Sequence, residues 1–181
     1  MGKEKVYVFK ASLKNRKRIW RRIEIKGNQN LGKFDGMIRL AFDYDTFDHL
    51  SEFFMCKAFK SGGYGYIEPG GYGEGARKKI DSLNLTEGEY LEYIYDFGDN
   101  IQHIITLEQI IDSKPGIQYP RITDENKPRY QYCKSCKKQG KKTVAKWICV
   151  ECSEEACQNI PLCNRCMEKD HEDHFIDEIL Y

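Results

Sequence analysis

Residues 90–108 read Y-L-E-Y-I-Y-D-F-G-D-N-I-Q-H-I-I-T-L-E. Residues 90–97 and 101–108 are rich in aromatic and β-branched side chains, which favour β-strands. The three residues between them, Gly98-Asp99-Asn100, have the composition of a tight turn. The segment therefore predicts a β-hairpin, and with it an antiparallel sheet.

A second hairpin is predicted near the start of the chain. Residues 6–13 and 19–25 are again dense in β-branched and aromatic residues, and a polar stretch separates them. In the later strand Ile19, Ile23 and Ile25 alternate with polar residues. Because side chains alternate across a strand, the isoleucines share one face, which we expect to be buried.

A helix of about three turns is predicted after this hairpin. Asn30 is suited to cap its first turn. The apolar residues that follow recur at helical spacing, and they are Leu31, Phe34, Ile38, Ala41 and Phe42. Residues 49–56 predict a further strand, whereas the glycine-rich residues 61–75 predict a long mobile loop without regular structure. These elements predict an α+β fold with an antiparallel sheet and one main helix, spanning residues 1–122.

Composition excludes several classes of protein. The 181 residues suffice for one ordinary domain and a small one, and the net charge of +1 shows no global bias toward polyanions. No apolar run approaches the roughly 20 residues that span a bilayer, and the start lacks an apolar signal-peptide core. We therefore expect a cytoplasmic protein without a membrane partner, whose reduced thiols serve metal binding rather than disulfides.

Three patches in the first two thirds resemble a known family. They are residues 19–22 (Ile-Trp-Arg-Arg), residues 48–53 (Asp-His-Leu-Ser-Glu-Phe) and, most specifically, residues 95–103 (Tyr-Asp-Phe-Gly-Asp-Asn-Ile-Gln-His). In this order they are similar to the plasmid pRiA4b ORF-3-like family over residues 5 to 122, although Ile101 stands where that family usually has tryptophan. The resemblance implies a compact α+β domain, which also occurs as a passenger of mobile elements. It implies no particular activity.

The turn between residues 95 and 103 also admits a metal site. Its carboxylates and imidazole, with two nearby side chains, would form an oxygen-and-nitrogen ligand set for a metal-dependent enzyme: Asp96, Asp99, His103, His49 and Glu52. The alternative is a turn in which the carboxylates accept backbone N–H bonds and Gly98 takes a positive φ. We favour the turn.

A basic run at residues 16–22 raises a third hypothesis. Arginines beside Trp20 could hold phosphate and stack on a base, and the tyrosines of residues 61–75 could stack as well. The alternative is a solvated turn followed by the polar face of a strand. We favour the solvated turn and strand face, and keep a nucleic-acid-associated protein as the second candidate function.

The last third carries seven of the eight cysteines and, after them, two of the four histidines. They form four ligand pairs in order, Cys133-x2-Cys136, Cys149-x2-Cys152, Cys163-x2-Cys166 and His171-x2-His174. Two such pairs close one tetrahedral zinc site, so four pairs predict two structural zinc ions per chain. We expect a small two-zinc module at residues 130–181, joined by a linker at residues 123–129.

The end of this segment resembles the B-box zinc fingers of tripartite-motif proteins, and more loosely the ZZ finger. That resemblance implies a cross-brace, in which pairs one and three hold one zinc and pairs two and four hold the other. The ligand sets would then be Cys133, Cys136, Cys163 and Cys166 for one site, and Cys149, Cys152, His171 and His174 for the other. Sequential pairing is the competing arrangement. Cys157 could replace Cys163 or Cys166, but we expect it to be a spare thiol.

Six lysines and no acid lie between Cys133 and Cys149. Four thiolates on one Zn²⁺ leave a charge of about −2, which these lysines could offset, and they could also contact phosphate. We favour charge balance and solvation. Because closed tetrahedra leave no position for a catalytic water, we expect a non-enzymatic binding or adaptor protein with a protein partner. The oligomeric state stays open.

Overall fold

The computed structural model describes residues 4–55 and 62–181. The chain divides into two compact units, the first ending at Asn126 and the second comprising Lys127–Tyr181. Within the described residues, no helix combines the length and the apolar character that crossing a membrane requires.

The first unit is a seven-stranded antiparallel sheet with one long helix. The strands are β1 (Lys5–Leu13), β2 (Trp20–Lys26), β3 (Ser51–Met55), β4 (Gly63–Ile67), β5 (Tyr90–Tyr95), β6 (Ile101–Asp112) and β7 (Arg121–Glu125). Their spatial order is β4-β3-β5-β6-β1-β2-β7. Helix α1 comprises Leu31–Phe42, between β2 and β3. The predicted α+β class with an antiparallel sheet is confirmed.

Both predicted hairpins are present. Strand β5 pairs with β6 from Tyr90↔Thr106 to Tyr95↔Ile101. Strand β1 pairs with β2 along seven residue pairs, and Ile23 is fully buried as its alternation predicts. Strand β1 also pairs with β6, so the two hairpins lie side by side at the centre of one sheet.

The core lies between helix α1 and one face of the sheet. Phe34 of the helix contacts Phe9 and Phe53, with ring centroids 4.9 and 5.5 Å apart. The Asn30 side chain accepts a hydrogen bond from the Lys33 N–H at 3.0 Å, which caps the first turn as predicted. The left-handed Asp43 (φ 60°) ends the helix.

The prediction of a structureless loop over residues 61–75 is wrong for the part that the structure describes. Strand β4 pairs with β3, and the Gly65 N–H donates to Glu52 Oε1 at 3.0 Å. A Cβ on Gly75 would lie only 1.9 Å from the Gly65 carbonyl oxygen, so glycine permits a close backbone packing here. Cys56 and Ser61, the ends of the predicted strand and loop, lie outside the described residues.

Strand β7 occupies part of the predicted linker. It pairs with β2, and cross-strand ion pairs join Arg121 to Glu24 (2.7 Å) and Arg22 to Asp124 (2.6 Å). Residues 123–125 of the predicted linker therefore belong to the sheet. Their polar composition reflects an exposed edge strand, whose charges pair across the ladder.

The second unit is built from very short elements. Its strands β8 (Trp147–Cys149), β9 (Pro161–Leu162) and β10 (Ile176–Glu178) form an antiparallel sheet in the order β10-β8-β9, and its helices are α2 (Lys134–Lys138), α3 (Val150–Glu155) and α4 (Asn164–Asp170). Leu162 is fully buried at its centre, where buried cysteines surround it. So small an apolar core points to a fold that needs another source of stability.

Candidate metal centres

Each short helix of the second unit begins at a cysteine. Cys133, Cys149 and Cys163 are the N-cap residues of α2, α3 and α4. The Cys-x2-Cys spacing places the second cysteine at the third helical position, where an N-cap side chain meets the backbone N–H. The Cys136 N–H accordingly lies 3.5 Å from Cys133 Sγ. The helical start thus turns both thiols of a pair to one side.

The first cluster consists of four thiols, those of Cys133, Cys136, Cys163 and Cys166, whose sulfur atoms all lie within 4.8 Å of one another. Cys136 Sγ is 3.8 Å from Cys163 Sγ and 3.7 Å from Cys166 Sγ. These separations are far beyond a disulfide bond of about 2.05 Å. Three of the four cysteines are buried.

The second cluster consists of Cys149, Cys152, His171 and His174, again with ligand atoms within 4.8 Å. Both imidazoles present Nδ1, and these nitrogens lie 3.3 Å apart. Cys149 Sγ is 3.2 Å from His174 Nδ1, and Cys152 Sγ is 3.4 Å from each Nδ1. Cys149 is buried and the other three are partly exposed.

The eight side chains are grouped in the interleaved order. The first ligand pair lies with the third, and the second with the fourth, so the sequential grouping is absent from the described residues. Cys157 lies outside both clusters; it is exposed, and its thiol lies 3.7 Å from the Glu154 carbonyl oxygen. Neither Cys163 nor Cys166 is displaced by it.

The separations suit a tetrahedral metal ion. Metal–sulfur bonds of about 2.3 Å place two sulfurs of a tetrahedron about 3.8 Å apart, and metal–nitrogen bonds of about 2.0 to 2.1 Å place two nitrogens about 3.3 to 3.4 Å apart. The Sγ–Sγ distances of 3.7 and 3.8 Å and the Nδ1–Nδ1 distance of 3.3 Å match these edges. Both clusters are consistent with metal binding.

The electrostatics of the four-thiol cluster also favour a cation. Burial alone would raise the pKa of Cys133, but N–H groups of Cys136 and Cys163 and the neighbouring thiols outweigh it and lower the pKa to about 7. Burial and the adjacent thiols raise the pKa of Cys166 to about 12. The negative charge of one thiolate therefore disfavours ionisation of the neighbouring thiols. All four thiols ionise together only around a positive ion.

The residues around Asp96 form a turn. Asp96 Oδ1 accepts hydrogen bonds from the N–H groups of Gly98 (2.8 Å) and Asp99 (3.4 Å), as the turn hypothesis requires. A positive φ was expected at Gly98, but it occurs instead at Asp96 and Asn100, both at 51°. Aspartate and asparagine tolerate this conformation because their short side chains bond locally.

The predicted oxygen-and-nitrogen ligand set is not assembled. Asp96 Oδ2 lies 3.1 Å from the half-exposed His49 ring, but His103 is fully buried, with its Nε2 3.1 Å from Tyr44 Oη. Burial lowers the pKa of His103 to about 3, so its imidazole is neutral. Asp96, Asp99 and His103 do not form a group of three ligands among the described residues, and neither His49 nor Glu52 completes one.

A buried ion pair in the first unit escaped sequence reasoning. Arg39 Nε donates to Asp35 Oδ2 at 2.8 Å, one helical turn away, and both side chains are at most 1% exposed. The same guanidinium donates to the carbonyls of Asp45, Asp48 and His49 at 3.1, 2.8 and 3.0 Å. The opposite charges four positions apart were the available signal. Arg39 thus holds the loop between α1 and β3.

Arg21 and Arg22 of the basic run are engaged within the first unit, whereas residues 16–18 lie exposed in the turn before β2. Arg22 pairs with Glu108 (2.7 Å) and Asp124, and Arg21 donates to the Ala41 carbonyl oxygen (2.8 Å). Trp20 has the Lys10 ammonium 4.7 Å and the Arg22 guanidinium 5.1 Å from its ring. These contacts favour the solvated-turn alternative over a phosphate site at the hairpin.

Comparison with known proteins places the first unit. The sequence model of the family described as "Plasmid pRiA4b ORF-3-like protein" matches residues 5–130. A search of curated proteins found no match. The crystal structure of the protein of unknown function MM3350 from Methanosarcina mazei Go1 is similar, with 31% identity and a TM-score of 0.56, over 68% of this chain and 70% of that one. The chain therefore belongs to the plasmid pRiA4b ORF-3-like family, and its two cysteine clusters lie entirely beyond the matched residues.

Proposed function

We propose that this chain is a non-enzymatic binding protein whose second unit is a cross-brace module held by two structural zinc ions. The supporting observation is the interleaved grouping of eight ligands at tetrahedral distances. The ligands are Cys133, Cys136, Cys163 and Cys166 in one site and Cys149, Cys152, His171 and His174 in the other. This interleaved grouping supports a B-box-like finger.

Zinc is the metal that both donor sets accept. A tetrahedron of four thiolates, or of two thiolates and two nitrogens, suits zinc or an iron–sulfur site. Both donor sets are those of structural zinc fingers. The tetrahedral edges correspond to zinc bond lengths in both clusters. The first site would carry a charge of about −2 and the second would be neutral. The structural role follows from the small core, since each zinc contributes on the order of 10 kcal/mol to folding.

The proposal gives the zinc ions no part in catalysis. Catalytic zinc keeps one position for water or substrate beside three protein ligands. Here four protein side chains converge in each cluster. The first unit, whose Asp96 region closes a turn, supplies a folded surface in the same chain. We expect the chain to bind a protein partner and to be located in the cytoplasm.

The metal assignment is tested by elemental analysis of the purified chain. We expect two zinc ions per chain and no other metal. Cys133→Ser and Cys149→Ser each remove one ligand from a different cluster, and each variant should lose about one zinc. Cys157→Ser is the matched control and should keep both. A chain that binds iron, or a Cys157→Ser variant that loses zinc, contradicts the assignment.

The partner is tested with the same variants. The zinc-loaded chain and Cys157→Ser should capture the same protein from an extract of the source organism, and Cys133→Ser should capture less of it. Purified partner is then titrated against the chain, and the activity of the partner is assayed in the same samples. Equal affinity for Cys133→Ser would show that the second unit takes no part in binding.

A further inference from the structure

The lysine-rich part of the second unit is separate in charge from the rest of that unit. Residues 127–150 contain eight lysines and arginines and no acid, whereas residues 151–181 contain nine acids and only Arg165 and Lys169 as bases. The net charge of +1 for the whole chain conceals this division. A concentrated positive surface attracts polyanions, irrespective of the overall charge.

The basic segment is a finger with a fixed shape. Its two arms pair through the Tyr132↔Val144 bridge, and the Cys133 N–H donates to the Thr143 carbonyl oxygen at 2.8 Å. The four-cysteine cluster holds its base through Cys133 and Cys136. Four exposed lysines lie between the arms, and we call them the lysine tip: Lys137, Lys138, Lys141 and Lys142.

The ammonium groups of the lysine tip are available for a ligand. Within the part of the chain that the structure describes, none of them pairs with a carboxylate or a cysteine sulfur. The charge of the first centre is therefore not offset by direct lysine–sulfur contacts. Arg22 of the first unit is the contrasting case, since it pairs with two carboxylates.

An exposed aromatic ring accompanies the lysine tip. Tyr132 is 37% exposed, and the Lys142 ammonium lies 4.7 Å from its ring centroid. A base stacked on an aromatic ring is held more strongly than a cation over an exposed ring. A base can therefore replace Lys142 on Tyr132, and the released ammonium remains close enough for the adjoining phosphate.

We propose that the lysine tip and Tyr132 form a binding site for single-stranded nucleic acid. The lysines contact the phosphate backbone, and Tyr132 stacks on a base, which is the combination of groups that binds single strands without sequence preference. An acidic peptide would use the lysines but would have no base for Tyr132. The site rests on the metal-held fold of the second unit and is independent of the protein partner proposed above.

Binding is measured by fluorescence anisotropy, with the full-length zinc-loaded chain and a labelled oligothymidine of about 20 nucleotides. Between about 50 and 200 mM salt, we expect log K to fall with log salt at a slope of about −2 to −3, since each phosphate contact contributes about −0.7. Replacing all four lysines of the tip by glutamine should lower the affinity at least tenfold at the lowest salt and flatten the slope. Tyr132→Leu should weaken binding about tenfold and leave the slope unchanged.

Matched variants locate the site. Arg16→Gln/Lys17→Gln/Arg18→Gln removes the exposed basic turn of the first unit, and Lys169→Gln removes a lysine from the acidic part; both should bind as the wild type does. The proposal is overturned by a wild-type chain that does not bind at low salt, by unchanged affinity after the fourfold lysine substitution, or by unchanged affinity in Tyr132→Leu. Polyglutamate that displaces the oligonucleotide equally well from wild type and Tyr132→Leu would identify an acidic-peptide surface instead. The zinc content is measured on the same samples, so that failure of the metal assignment can be distinguished from failure of the nucleic-acid site.

Discussion

At the scale of single residues, spacing determines which two side chains form a ligand pair. The Cys-x2-Cys pairs could be assigned from the sequence because each pair occupies the N-cap and third position of a short helix. Which pairs join could not be derived from spacing, because the pairing depends on the order in which the elements pack. The turn at Asp96 was predicted, but its positive φ falls on Asp96 and Asn100. Asparagine and aspartate compete with glycine for such positions, so composition alone does not place them.

His103 makes the first unit sensitive to acid. Its pKa is about 3 in the folded chain and near 6.5 when exposed in the unfolded chain. Between these values the unfolded state binds more protons, so stability is complete above pH 6.5 and falls as the pH falls toward 3, by about 1.4 kcal/mol per pH unit. From pH 7 to pH 5 we expect the wild type to lose about 2 kcal/mol more than His103→Gln.

Urea unfolding, followed by the fluorescence of Trp20, measures this difference. Trp147 is replaced by phenylalanine in both proteins, so that the signal comes from the first unit alone. Comparing the two pH dependences removes the contribution of the carboxylates that the proteins share. Parallel stability curves for the two proteins would contradict a buried neutral His103.

Arg39 is the second residue whose loss should be severe. Arg39→Met leaves the buried Asp35 carboxylate without its counter-ion and removes the Arg39 donor from three carbonyls. Among the described residues, only the Asp45 carbonyl of these three keeps another donor, the Tyr95 hydroxyl. The loss should cost about 3 to 5 kcal/mol. Lys33→Met, at an exposed position of the same helix, should change stability by less than about 0.5 kcal/mol. The Trp20 unfolding assay compares the two variants. A cost for Arg39→Met no larger than that of the control would show that the loop is held by other contacts.

At the scale of elements, hydrophobic periodicity predicted α1, both hairpins and strand β3. It failed at β4 and β7, which lie at the two edges of the sheet. The signal at β4 was hidden by glycines that allow close backbone packing, and the signal at β7 by charges that pair across strands. Edge strands lack the buried alternation on which sequence reasoning depends. The ligands of the two clusters, in contrast, could be predicted from the sequence, because each short helix of the second unit begins at a cysteine.

Replacing each of two glycines of α1 by alanine distinguishes the effect of helix propensity on stability from the effect of tertiary contacts. A Cβ at Gly36 meets nothing within 4 Å, so Gly36→Ala should stabilise the first unit by about 0.5 to 1 kcal/mol. A Cβ at Gly32 would lie 2.4 Å from the Gly71 carbonyl oxygen, so Gly32→Ala should destabilise it despite the same gain in propensity. Urea unfolding of both variants checks the signs, and a stabilising Gly32→Ala would refute the close approach of Gly71 to the helix.

At the scale of the whole molecule, the two units derive their stability from different sources. The first buries an aromatic and aliphatic core between a helix and a sheet, whereas the second centres on cysteines. Family membership accounts for the first unit, and the matched residues end before the first ligand pair. The second unit could be inferred from ligand spacing alone, but its surface and its partners depend on exposure that spacing does not determine.

Removal of metal should therefore affect the two units differently. With a strong zinc chelator, we expect the second unit to unfold, since each zinc supplies on the order of 10 kcal/mol, while the first unit stays folded. In Trp20→Phe the emission of Trp147 should shift toward that of exposed tryptophan, and in Trp147→Phe the emission of Trp20 should stay unchanged. Restoring zinc should reverse the shift. Unchanged Trp147 emission after complete metal removal would mean that the second unit folds without metal.

The interleaved metal wiring is tested most directly by two-dimensional NMR of the chain loaded with ¹¹³Cd, which couples each metal to the protons of its own ligands. We expect two cadmium signals. One correlates with the β-protons of Cys133, Cys136, Cys163 and Cys166, and the other with Cys149, Cys152 and the rings of His171 and His174. A cadmium signal shared by Cys133 and Cys149, or a correlation to Cys157, would contradict it.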